Sequence, residues 1–109
     1  MKQVDITLIT AVPTAETING HQNATEYRLT LIADKISVGR TEFYEALKVG
    51  IQPTCIFKIF AFDFESANKI SGGIVYEPEF VEEDSIRYKI LRTYQKTSDW
   101  IEVTCAKVM

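Results

Sequence analysis

Few side chains in this chain are of kinds that do chemistry, and their spacing limits what they can do. The single histidine, His21, sits in the polar stretch NGHQNATE, while Cys55 and Cys105 lie fifty residues apart in apolar runs. Thiol catalysis needs a thiolate and a base that can meet it. His21 with either cysteine is the one such pairing available, yet both thiols belong to strand-like apolar stretches that disfavour the charged form. With no CxxC and no neighbouring histidine, the cysteines read as buried, reduced residues acting as small hydrophobes. His21 reads as a loop residue, and no catalytic residue is assigned.

Other constellations point the same way. EPEFVEED offers only carboxylates where a metal site needs several ligand types at spacing; a calcium loop there is a minor alternative, and the stretch reads as a solvated acidic loop. SGG, after Ile70, lacks the following Lys-Ser or Lys-Thr of a phosphate-binding loop and reads as a turn. Phe57, Tyr88, Tyr94 and Trp100 could stack bases if they shared one face of a small barrel, although strand spacing makes such residues core more readily. No metal, no cofactor and no enzymatic activity are expected.

The elements that position these residues must fit into 109 residues, 46% of them apolar. A chain of this length buries roughly 65% of its unfolded surface, enough for one modest core, so a single domain over 1–109 is expected. The charge is mildly acidic, 15 Asp and Glu against 12 Lys and Arg, and the basic residues are scattered singly. That distribution argues against a dedicated nucleic-acid reader but not against transient contact with DNA inside a ring. No run reaches the 18 or so apolar residues of a membrane helix, and MKQVDITLIT alternates where a leader would be uniformly apolar, so a soluble, cytoplasmically made chain without a membrane partner is expected.

Alternation supplies the strands. VDITLIT places Val4, Ile6 and Leu8 on one face, and YRLTLIADK places Tyr27, Leu29, Leu31 and Ala33 on one face. Between them, Pro13 to Thr25 has too few apolar residues to pack and reads as a mobile, hairpin-like loop. PTCIFKIFAFDF reads as a strand with two apolar faces: Ile56, Phe60, Phe62 and Phe64 on one, Cys55, Phe57, Ile59 and Ala61 on the other. Such a strand is covered on both sides within its own fold or is half covered by a neighbouring subunit, which makes Phe57, Ile59, Phe60 and Phe62 the candidate subunit interface. IVYEPEFVEEDS reads as a short strand and an acidic loop. IRYKILRTY, with Ile86, Tyr88, Ile90 and Tyr94 on one face, and WIEVTCAKV, with Ile101, Val103 and Cys105 on one face, form the final hairpin.

One stretch breaks the alternation. In SVGRTEFYEALKVG, Thr41 is a candidate N-cap, Glu42 lies in the first turn, Lys48 in the last, and Gly50 can take the position after the helix end. The predicted helix is about 15 Å long and must lean on a sheet or another chain. Five or six short strands and one short helix predict a mainly β fold, a small antiparallel barrel or sandwich.

Four blocks in order, TLI, SVGRTEFYEA, PTCIFKIFAFDFE and YKILRTYQKTSDWIEVTC, resemble the head-tail joining, or head-closure ("stopper"), family of long-tailed bacteriophages. The chain departs from that pattern at VEEDS, Val81 to Ser85, where a tighter turn before Tyr88 is expected. The resemblance implies a virion structural protein of the neck, assembled in the host bacterial cytoplasm as a ring homo-oligomer. Its partners would be the adaptor or portal ring, the tail-completion protein and the packaged double-stranded DNA in the channel. It also implies that Ile36 to Gln52 projects toward the channel, so Ser37, Val38, Gly39, Arg40, Thr41, Glu42, Phe43, Tyr44, Lys48 and Gly50 become candidate plug or ring-contact residues. The alternative that this helix merely covers one mouth of the barrel, with Phe43 and Leu47 as anchors, stays open. So do a tail-completion or other neck-ring role and an oligonucleotide-binding barrel.

Overall fold

In the computed structural model, six strands close into an antiparallel barrel in the order β1-β2-β3-β8-β7-β6, and β4 and β5 form a separate two-stranded sheet. The structure describes residues 2–18, 21–36, 55–95 and 97–108. The strands are β1 (Lys2–Ile18), β2 (His21–Ile36), β3 (Cys55–Phe60), β4 (Lys69–Ser71), β5 (Ile74–Tyr76), β6 (Phe80–Glu83), β7 (Ile86–Gln95) and β8 (Trp100–Lys107). One helix, α1 (Ala61–Ser66), occurs among the described residues. The expected mainly β barrel is therefore what the chain forms; the helix expected over Thr41 to Gly50 lies outside the described residues.

The inward positions of the alternating strands make the core. Ile6 and Leu8 of β1, Phe57 and Ile59 of β3, Val81 of β6, and Val103 and Cys105 of β8 are all essentially inaccessible. Phe57 and Tyr88 meet edge to face, with centroids 5.7 Å apart and planes at 71°. That arrangement suits the ring quadrupoles and adds to their burial.

Four sequence expectations change. Pro13 to Thr25 is not a loop: β1 and β2 stay paired through Pro13↔Ala24 and again at Thr17↔Gln22 and Ile18↔His21, forming a long two-stranded arm. Backbone pairing needs no apolar side chains, and threonine suits an extended chain, so the polar composition was no bar. The register shifts between Pro13 and Thr17, where a proline that cannot donate to the ladder gives a natural place for a bulge.

The aromatic strand stops at Phe60 rather than running to Phe64. Ala61, Phe64 and Ala67 recur every third residue, the spacing of one helix face, and all three are buried. Phe64 and Ala67 join the core cluster, so α1 closes one end of the barrel. The Ala61 amide donates to the Asp99 carbonyl (2.8 Å), fixing the helix start to the β7–β8 connection.

The expected acidic loop contains β6, which pairs with both β1 and β7 and completes the barrel. Asp84 and Ser85, at φ 53° and 65°, turn the chain directly from Glu83 into its cross-strand partner Ile86. The tight turn before Tyr88 thus lies within VEEDS itself. Finally, the β7–β8 register shifts between Ile90 and Arg92, which moves Tyr94 off the face of Tyr88 and Ile90 and leaves it 64% exposed.

SGG is a turn, as expected. Gly72 and Gly73 have φ of 59° and 78°, left-handed values that glycine adopts without a Cβ penalty, and they join β4 to β5.

Candidate interaction surface

The sequence's candidate residues scatter. Phe57 and Ile59 lie in the barrel's own core at 0% exposure, so they have no surface to offer another chain, whereas Phe60 and Phe62 are 50% and 79% exposed. Ser37, Val38, Gly39, Arg40, Thr41, Glu42, Phe43, Tyr44, Lys48 and Gly50 lie outside the described residues. The four aromatics proposed as a stacking platform are not together: Phe57 and Tyr88 are core, Tyr94 is on the outer wall, and Trp100 is beside Phe60.

Cys55 and Cys105 face each other as cross-strand partners, both buried, at the end of the barrel away from α1. Burial pushes the Cys55 thiol up to about 11 and raises Cys105 further, so neither is a nucleophile at neutral pH. His21 begins β2, paired with Ile18 at the far end of the arm, and is not brought to either thiol. Among the described residues no group of three His, Cys, Asp or Glu side chains could hold a metal ion, and no helix is long and apolar enough to cross a membrane.

What the structure does assemble is an aromatic saddle. The β2–β3 ladder spans only Asp34↔Lys58 to Ile36↔Ile56, so the two strands part company before Phe60. A groove of about 530 Å³ opens there, lined among others by Thr30, Ile32, Asp34, Lys58, Phe60 and Trp100. Phe60 and Trp100, cross-strand partners on the outer wall, stack at 4.1 Å with planes 24° apart, and the Lys58 ammonium lies 4.6 Å from the Trp100 centroid. A second hollow of about 400 Å³ continues past the stack between Phe60, Phe62, Asp63, Ser98, Asp99 and Trp100. The combined surface is apolar at its centre and acidic at its rim, with Asp34, Asp63 and Asp99 against Lys58.

A second apolar surface is separate from the first. The β4–β5 hairpin exposes Ile70 (76%), Ile74 (56%) and Val75 (56%), and it contributes no residue to either hollow. Lys69, at its base, places its ammonium 5.2 Å from the Tyr27 ring centroid, which ties the hairpin to the arm.

Ion pairs tie β2 to β6 and β7. Arg87 donates to both carboxylate oxygens of Glu26 (3.1 and 3.2 Å), and Arg28 bridges Glu26 (3.7 Å) and Glu82 (3.3 Å). The Arg87 hydrogen bonds hold the Glu26 carboxyl below its ordinary value. At the end of the barrel away from α1, Lys35 donates to Glu83 at 2.7 Å and lies 5.8 Å from the Tyr88 centroid, closing that end with a partly buried ion pair.

Sequence reasoning reached Phe60 and Phe62 through the apolarity of their strand and Trp100 as a possible stacking residue, but missed Ile32, the hairpin and the pairing of Trp100 with Phe60. The clue for Trp100 was its place at the start of a strand opposite Phe60, which only the β3–β8 register reveals. No protein-family model and no curated protein matches the chain.

Proposed function

We propose that the chain is a non-enzymatic assembly subunit, a barrel that builds into the ring of a bacteriophage neck, where it closes the DNA-filled head and presents a surface to the tail. The observation that carries this reading is the pair of separate exposed apolar surfaces, the Phe60–Trp100 saddle and the β4–β5 hairpin, on one small barrel. A ring is built from two different patches that meet head to tail at every step, whereas a two-fold dimer needs only one self-complementary patch. Apolar clusters on a chain this small mark contact with other macromolecules. The resemblance of TLI, SVGRTEFYEA, PTCIFKIFAFDFE and YKILRTYQKTSDWIEVTC to head-closure proteins supplies the particular ring, with the adaptor or portal ring and the tail-completion protein as neighbours and packaged DNA in the channel.

An oligonucleotide-binding barrel fits less well. The exposed aromatic stack could accept a base, but Asp34, Asp63 and Asp99 surround it with only Lys58 in opposition, and phosphates are repelled by such a rim.

The test is inactivation of the gene in a lysogen whose prophage carries it, followed by induction, electron microscopy of the lysate and nuclease protection of the heads. Free tails beside heads that packaged DNA and leaked it support head closure. Sealed full heads with unattached tails assign the chain to the tail end instead, and intact infectious particles overturn the proposal.

A further inference from the structure

Building on the ring reading, we infer that the β4–β5 hairpin of one copy docks in the saddle of the next, lying along the edge of β2 at Thr30–Ala33 with its aliphatic side chains against Ile32, Phe60 and Trp100. Three observations fit this occupant. The first is the strand edge. Toward β3, β2 has a strand partner only from Asp34 to Ile36, so its Thr30–Ala33 stretch borders the groove without a described strand beside it. Among the described strands, the two strands of the hairpin are likewise paired only with each other. An edge meeting an edge continues a sheet between chains, with main-chain hydrogen bonds supplying affinity and side-chain pockets supplying selectivity.

The second is apolar complementarity. Ile70 and Val75 are cross-strand partners and so share one face of the hairpin, a compact aliphatic surface of the kind that packs on an aromatic stack. The third is charge. The segment Lys69–Tyr76, KISGGIVY, carries one lysine and no carboxylate, and the saddle carries three aspartates against one lysine. The acidic rim therefore admits this hairpin and repels acidic segments such as Glu77–Glu83. Because hairpin and saddle share no residue, a copy whose saddle is filled still presents its own hairpin to a third, which is the head-to-tail repeat a ring requires.

Site-directed cross-linking tests it. Ser71→Cys marks the hairpin and Ser98→Cys marks the saddle; both serines are exposed, and the native Cys55 and Cys105 are too buried to react. The two variants, one carrying a mass tag, are mixed at about 1 mM, where even contacts with a millimolar Kd are populated, and treated with a short bis-maleimide. The expected result is that the mixed Ser71–Ser98 product dominates and is lost when the hairpin variant also carries Val75→Asp, while thermal melts show that variant to be folded. Dominance of the Ser71–Ser71 product would mean that hairpins pair with each other and would overturn the inference. Products in statistical proportion, or a chain with no cross-links at that concentration, would overturn it as well. A leaking-head phenotype in the lysate alongside any of those failures removes only this contact, whereas infectious particles without the gene remove the ring reading itself.

Discussion

Phe62 and Phe64 stand two residues apart, and replacing each with alanine separates a helix from a strand. In a strand they would share a face and lose similar stability on truncation. In α1 they point apart, Phe64 into the core at 6% exposure and Phe62 into solvent at 79%. Removing a buried phenylalanine side chain costs about 3–5 kcal/mol through lost transfer energy and the cavity left behind. A domain of this length has about 5–15 kcal/mol of stability in all, so Phe64→Ala removes a large share of it. At about 4 °C per kcal/mol for a chain near 100 residues, the melting temperature falls by about 12–20 °C. Phe62→Ala, which empties no cavity, stays within about 0.5 kcal/mol. Thermal melts followed by circular dichroism, with urea titrations to confirm that both variants keep the wild-type m-value, measure the difference. Dilute samples keep any contact between copies from adding to the Phe62 side. Equal losses at the two positions would refute the helix, and a small loss at Phe64 would refute its role in closing the barrel.

Two further outcomes follow from the ion pairs and the β6–β7 turn. Glu26→Gln breaks the bidentate contact with Arg87; because the Glu26 side chain is 37% exposed, the loss at pH 7 stays below about 1 kcal/mol and shrinks in salt. The Glu26 carboxyl titrates below its ordinary value, so its contribution is present above pH 4.5 and disappears as pH falls through the lowered folded-state value; urea melts of wild type and variant should converge there. A constant gap down to that acidity would mean that Glu26 acts through packing. Ser85→Gly relieves a left-handed serine at φ 65° and should raise stability by about 0.5–1 kcal/mol, read as a higher urea midpoint at unchanged slope; an unchanged or lower midpoint would show that the turn is unstrained.

The strands whose inward positions are uniformly apolar were legible from alternation: Val4, Ile6 and Leu8 in β1, Leu29 to Ala33 in β2, and Ile101, Val103 and Cys105 in β8. Where two periods fit the same letters, alternation misled. In AFDFESA the phenylalanines alternate as in a strand, while Ala61, Phe64 and Ala67 repeat as in a helix, and it was the need to fill the barrel's end that decided between them. β6 was obscured because just four residues, half of them glutamates, suffice when both neighbouring strands hold them. The arm was obscured because its stability comes from backbone pairing, which leaves no hydrophobic trace. The saddle depends on where β2 and β3 separate and on which residue faces Trp100, properties of register that no local pattern encodes.

The barrel wall is not equally strong all the way round. β1 joins β6 through three residue pairs and β2 joins β3 through three, whereas β1–β2 and β3–β8 are held along much longer ladders. In its backbone ladders the β1–β2 hairpin is thus inserted between two short closures. Folding pays loop-closure entropy there last, and native fluctuations begin there first, with amide protons of Thr7–Ile9 and Asp34–Ile36 exchanging ahead of those in β8. Opening both closures together would free the hairpin as a piece that fits the barrel of a neighbouring molecule as it fits its own, so the same short ladders that open the groove make this chain a candidate for domain exchange at high concentration.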